Sequence, residues 1–172
     1  VFFANHQSQL DILVLYLVLR EHVIGFVAKQ SLFRIPFLGP AMRQAGHVAI
    51  DRTNRRRAMR SIDEAVRQAA RGISIVLFPE GTRSTDLTRL ASFKIGGLVM
   101  ALTCRLPIVP LVITGTGDIL PKKSLFLAQG RRDVMVSVLP AIPVDTYTLK
   151  DREALAEEVH TIMNARYQEM RG

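Results

Sequence analysis

Residues 73–78 read Ile-Ser-Ile-Val-Leu-Phe, a nearly unbroken apolar run with Gly72 before it and Pro79 after it. A strand with so little alternation has both faces covered, the usual state inside a parallel sheet. The stretch ahead of it, residues 54–71, carries Ala58, Ile62, Ala65, Val66 and Ala69 at helical spacing, while Arg60, Asp63, Arg67 and Arg71 fall on the other faces. An amphipathic helix leading into a two-sided buried strand points to helices packed on a central sheet.

The rest of the chain repeats this alternation. Residues 1–4, 22–28, 46–51 and 108–113 are further short apolar runs, and residues 134–139 alternate as a last strand. Helices are predicted over residues 8–21, Ile95–Cys104 and 149–170, with short helical pieces over 29–33 and 37–44 broken by Pro36, Gly39 and Pro40. This predicts an α/β fold, one domain over residues 1–172 with a mostly parallel central sheet flanked by helices. A chain of 172 residues suits one core of this kind. In such folds ligands gather where loops leave the carboxyl ends of the strands.

Composition narrows the partners. The 23 Lys and Arg outnumber the 15 Asp and Glu, a formal net charge of +8, which calls for anionic company: a nucleic acid, an anionic lipid or a phosphorylated substrate. Aromatic residues reach only 6% and do not interleave with the cations, so single-stranded nucleic-acid binding is not expected. The single Cys104 excludes a disulfide framework and reads as a small core residue. The longest apolar run, residues 12–19, falls short of the roughly 18 to 20 residues of a membrane span. The chain opens at Val1, without Met and already inside a strand-like run, and an N-terminal portion is expected to precede it.

Three stretches carry chemistry. Asn5-His6-Gln7-Ser8-Gln9-Leu10-Asp11 places a histidine and an aspartate five positions apart where a strand gives way to a helix. Histidine is the usual general base near neutrality, and a carboxylate on its second ring nitrogen fixes the tautomer. Inside one helix the pair would face apart, so they meet only if His6 sits in the turn and Asp11 in the first helical turn. Phe78-Pro79-Glu80-Gly81-Thr82-Arg83-Ser84 presents a carboxylate, a hydroxyl and a guanidinium at the end of a buried strand. Gly81 admits close backbone approach, and Arg83 offers a planar donor fork for phosphate or carboxylate. Residues 46–52 end in Ile50-Asp51-Arg52, so that Arg52 follows a strand as His6 and Glu80 do. The Arg55-Arg56-Arg57 run beyond it reads either as a solvated helix start or as an anion-facing group. Lys94 stands at a loop-to-helix step.

Other chemistries lack their residues. There is no Gly-x-Ser-x-Gly elbow, no phosphate-binding loop signature and no GxGxxG, and the scattered histidines suggest no metal site.

The chain closely resembles the glycerolipid acyltransferase family, the 1-acylglycerol-3-phosphate (lysophosphatidate) acyltransferases in particular. Asn5, His6, Ser8 and Asp11 match the family's Asn-His-x-Ser-x-x-Asp motif, Gly46 and residues 50–52 its second block, residues 78–84 its third in full, and Val109-Pro110 its fourth. Ala91-Ser92-Phe93-Lys94 departs from relatives that often have Pro before Phe-Lys, which bears on local loop shape. The resemblance implies transfer of an acyl group from acyl-CoA or acyl carrier protein to the sn-2 hydroxyl of 1-acylglycerol 3-phosphate, giving phosphatidic acid. It implies His6 and Asp11 as catalytic residues, and Arg52, Glu80, Gly81, Thr82, Arg83 and Lys94 as substrate-binding ones. It implies no metal and no cofactor beyond the acyl donor, and an enzyme on the cytoplasmic face of a membrane carrying anionic lipid. The alternatives are a relative acting on glycerol 3-phosphate or another lysophospholipid, and an inactive lipid-binding module.

Overall fold

The computed structural model describes residues 1–51 and 55–172, the side chains of residues 55–59 excepted. In chain order the elements are β1 (Phe2–Ala4), α1 (Leu10–Val18), β2 (Ile24–Lys29), a 3₁₀ turn at Leu32–Arg34, α2 (Leu38–Gln44), β3 (Val48–Ile50) and α3 (Arg55–Ala70). The second half holds β4 (Ser74–Leu77), α4 (Ile95–Cys104), β5 (Val109–Thr114), α5 (Thr116–Ile119), β6 (Met135–Val138) and α6 (Arg152–Arg171). They form one six-stranded sheet in the order β3-β2-β4-β1-β5-β6. The first five strands are parallel and β6 runs antiparallel to β5. This is the α/β, mostly parallel architecture that the sequence predicts.

The pleat sends alternate residues of each strand to opposite faces. Phe2, Ala4, Phe26, Val76, Leu111 and Ile113 pack with Leu15 of α1 and with Leu19 just past its end on one face. Phe3, Ile75, Leu77 and Val112 pack on the other, against Ile62 and Ala65 of α3, Leu98 and Ala101 of α4, and Leu155, Val159, Met163 and Tyr167 of α6. The chain leaving β1 therefore goes to one face through α1, while the chain leaving the adjacent β4 goes to the other through α4. Such a parting of neighbouring connections opens a crevice at the carboxyl ends of β1 and β4, where open α/β sheets bind ligands.

The structure adds one element to those predicted. α5 is a four-residue helix whose start, Gly115, has φ +89°, and a Cβ there would stand 2.0 Å from Asp133 O. α1 is also shorter than the predicted residues 8–21. Among the described residues no helix is long and apolar enough to cross a membrane.

Candidate active site

The turn after β1 is built around Asp11, the second residue of α1 and fully buried. Asp11 Oδ2 accepts the backbone N–H of Gln7 at 2.7 Å and that of Ser8 at 2.9 Å. It also lies 2.7 Å from His6 Nδ1. Thr116 Oγ1, from α5, donates to Asp11 Oδ1 at 2.5 Å. The chain thus curls back over the start of α1, and two residues that a continuous helix would set on different faces meet. With a carboxylate as partner, Nδ1 carries the proton and Nε2 keeps its lone pair, the tautomer of a general base. The His6 ring, 17% exposed, stacks on Phe78 with 3.9 Å between centroids and 14° between planes.

Neighbouring residues fix this turn to the fold. Asn5 pairs with the backbone of Ile113 on both sides, donating through Nδ2 at 2.9 Å and accepting through Oδ1 at 2.7 Å. Gln7 Nε2 donates to Tyr167 Oη at 2.6 Å, and Tyr167 passes its own proton to Leu87 O at 2.6 Å. Ser8 is fully buried and its hydroxyl donates to Leu120 O at 2.9 Å.

Glu80 comes from the adjacent strand end. One of its oxygens accepts the backbone N–H of His6 at 2.7 Å and the other that of Ala91 at 3.1 Å. Burial pushes its carboxyl up to about 7, against the pull of those two N–H donors, with the Asp11 charge adding to the rise and Lys122 opposing it. Gly81 closes a turn back to Phe78 O at φ +77°, a conformation that a side chain disfavours. The Ser84 N–H donates to His6 O at 2.7 Å, so the two motif loops are joined at three points, the ring stacking of Phe78 included.

Beside the pair lies a cavity of about 450 Å³, lined by Val27, Ile50, Leu77, Phe78 and Met100 with Glu80, Gly81, Thr82 and Lys94 toward its polar side. Gly96 and Gly97 of α4 form another wall. Its mixed lining suits an amphiphile with an apolar chain and a charged head. Arg83 is half-buried, its carbonyl accepts Lys122 Nζ at 2.6 Å, and its guanidinium has no partner among the described residues. Lys94 is exposed where α4 begins, its N–H bound to Pro79 O at 2.7 Å. Arg52 lies outside the described residues. Lys29, which sequence reasoning did not single out, ends β2 opposite Ile50 at the same edge and is exposed. A larger cleft of about 570 Å³ beyond β3 holds Arg34, Arg43, Arg60 and Arg67; His6 lines neither space, but Phe78 and Glu80, which touch His6, line only the smaller one. Arg43 and Arg67 there already bond Phe33 O and Glu64.

Sequence reasoning missed Thr116, Gln7 and Tyr167. Each acts through a contact more than a hundred positions away, for which single-sequence patterns carry no signal.

The chain and its fold have counterparts among known proteins. Residues 1–114 match the Acyltransferase family, and the chain belongs to it. It is 35% identical over 163 residues to the 1-acyl-sn-glycerol-3-phosphate acyltransferase of Limnanthes alba, covering 94% of this chain and 57% of that one. To the 1-acyl-sn-glycerol-3-phosphate acyltransferase of Escherichia coli (strain K12) it is 33% identical over 171 residues, 99% of this chain and 67% of that one. The crystal structure of the 1-acyl-sn-glycerophosphate (LPA) acyltransferase PlsC of Thermotoga maritima superposes with a TM-score of 0.82 at 27% identity, covering 99% of this chain and 66% of that one. The chain thus spans between 57% and 67% of the length of these three proteins.

Proposed function

We propose that this chain transfers an acyl group from an acyl thioester, carried by coenzyme A or acyl carrier protein, to the sn-2 hydroxyl of 1-acylglycerol 3-phosphate, forming phosphatidic acid. The observation that carries the reading is the 2.7 Å contact between His6 Nδ1 and the buried Asp11, which leaves Nε2 as the basic nitrogen of a ring stacked on Phe78, itself a wall of the 450 Å³ cavity. The relatives named 1-acyl-sn-glycerol-3-phosphate acyltransferases support the same substrates.

In the mechanism, His6 Nε2 takes the proton of the acceptor hydroxyl as its oxygen attacks the thioester carbonyl carbon. The tetrahedral adduct collapses, the C–S bond breaks, and the imidazolium returns the proton to the leaving thiolate. Asp11 holds the ring and balances the transient imidazolium charge. No acyl-enzyme forms: Ser8, the nearest hydroxyl in sequence, is buried and spends its proton on Leu120 O. Arg83, Lys94 and Arg52 hold the acceptor phosphate, Arg83 through a guanidinium fork that has no partner among the described residues. Thr82 and Gly81 border that headgroup, while Glu80 acts indirectly, by fixing the backbone of His6 and of the loop at Ala91. The enzyme works on the cytoplasmic face of a membrane, where its acceptor resides.

The test is thioester consumption with lysophosphatidate, glycerol 3-phosphate and other lysophospholipids as acceptors, in native protein and in His6→Ala. Loss of the general base lowers turnover by about 10²–10⁴. Unchanged turnover in His6→Ala defeats the mechanism, and preference for another acceptor defeats the substrate assignment.

A further inference from the structure

The segment between α5 and β6 exposes three consecutive apolar side chains: Leu125 at 92%, Phe126 at 83% and Leu127 at 63%. Lys122 and Lys123 precede them, and Arg131 and Arg132 follow, against one carboxylate, Asp133. A folded chain hides contiguous apolar groups from water, so a displayed tip of this kind marks a surface meant for another phase or partner. The tip is also held up. Ser124 Oγ donates to Phe126 O at 2.8 Å and accepts the Phe126 N–H at 3.1 Å, and Ala128 N–H closes the base onto Ile119 O at 2.8 Å.

The base of this loop belongs to the catalytic turn. Thr116 of α5 bonds Asp11, Leu120 O accepts from Ser8, and Lys122 Nζ donates to Arg83 O. β5 runs toward the rim that holds His6, and antiparallel β6 starts there, so the loop rises from that rim.

We propose that the loop at Leu125–Phe126–Leu127 inserts into an anionic bilayer, with the exposed Lys123, Arg131 and Arg132 as a collar at the headgroups, and so sets the His6 site at the lipid surface. An apolar tip ringed by cations is the combination that binds membranes, where burial of the apolar part adds to attraction by anionic lipid. The occupant is lipid rather than protein because the collar is nearly all cationic, and a bilayer supplies both an apolar interior and a negative surface. The inference deepens the acyltransferase reading by naming the surface that brings the site to its lipid, but binding is measured without any substrate, so the two fail separately.

The chain has no Trp, so Phe126→Trp gives a single reporter. With vesicles of phosphatidylcholine and phosphatidylglycerol its emission shifts to the blue and is quenched by lipid brominated on the acyl chains; with phosphatidylcholine alone both effects are far smaller. Leu149→Trp, 52% exposed near the far end of the sheet, stays unquenched. Replacing Leu125, Phe126 and Leu127 together by Ser abolishes vesicle sedimentation at unchanged melting temperature, with turnover of detergent-dispersed acceptor retained. The combination Lys123→Gln, Arg131→Gln and Arg132→Gln weakens partitioning about a hundredfold. Equal quenching of both tryptophans, vesicle binding by the triple-serine variant at the native level, or no vesicle binding at all overturns the proposal. A blue shift that follows protein concentration without lipid also overturns it, in favour of a second copy of the chain.

Discussion

The Glu80 carboxylate accepts the backbone N–H of His6 at 2.7 Å across 74 positions of sequence. Its second oxygen takes the N–H of Ala91, so one buried side chain clamps the turn that carries the general base to the loop that leads into α4. The carboxylate of the Pro-Glu-Gly turn thereby works as a structural acceptor, facing protein backbone on both oxygens.

This clamp makes stability depend on pH with a definite sign. The folded pKa of about 7 stands above the ordinary 4.5 of a glutamate in water, so between those values the folded state holds a proton that the unfolded state has lost. The contribution is fully present below about pH 4.5 and disappears as pH rises through about 7, a change of roughly 3 kcal/mol. Urea midpoints of native protein should therefore fall between pH 5 and pH 7.5. Glu80→Gln faces one N–H donor with an amide donor, losing about 1–3 kcal/mol at pH 5, and its midpoint varies much less with pH. A variant as steep as the native chain assigns the slope to another group.

Thr116 bonds the far oxygen of Asp11 at 2.5 Å and is fully buried, so it acts on the reaction through the orientation of Asp11. Thr116→Val removes that bond with little change in volume. kcat is expected to fall about ten- to hundredfold, the equivalent of one charge-assisted hydrogen bond of roughly 1.5–3 kcal/mol, with both KM values steady. Thr116→Ser keeps the hydroxyl and recovers most of the rate. If valine changes only the melting temperature, Thr116 is a packing residue alone.

These two residues show where reading the sequence stops. The strands at residues 73–78 and 108–113 and the helix Arg55–Ala70 were legible because burial on both faces, or on one stripe, writes a period into the chain. His6, Asp11 and the 78–84 turn stood out as unusual residue types at strand ends. α5 was not legible, since Gly-Thr-Gly after a strand has the composition of a turn, and its value lies in placing Thr116 over Asp11. The partners of Glu80 were hidden for another reason: backbone N–H groups are present at nearly every position and leave no mark in the sequence.

Arg83 is half-buried, and its guanidinium has no hydrogen-bond or ion-pair partner among the described residues. Arg83→Lys keeps the charge but replaces a bidentate fork by a point donor, which should raise the acceptor KM about tenfold and leave the thioester KM and the melting temperature nearly unchanged. Its backbone carbonyl still receives Lys122, so the loop geometry is preserved. A rise in the thioester KM alone would reassign Arg83 to the donor side.

Gly96 and Gly97 both line the cavity, yet a side chain at each meets a different environment. A Cβ on Gly96 finds no atom within 4 Å, whereas one on Gly97 stands 2.9 Å from Leu77 Cδ1 in the core. Gly96→Leu is therefore accommodated without a clash at the cavity wall, and in the first turn of α4 it costs little stability. The variant should keep its melting temperature while kcat/KM falls more for long acyl thioesters than for short ones, since the side chain shortens the apolar part of the cavity. Gly97→Ala serves as the contrast: it presses on Leu77, lowers stability, and affects all chain lengths alike. Rates measured across a series of thioester lengths decide the matter, and a uniform loss in Gly96→Leu would remove the acyl chain from this cavity.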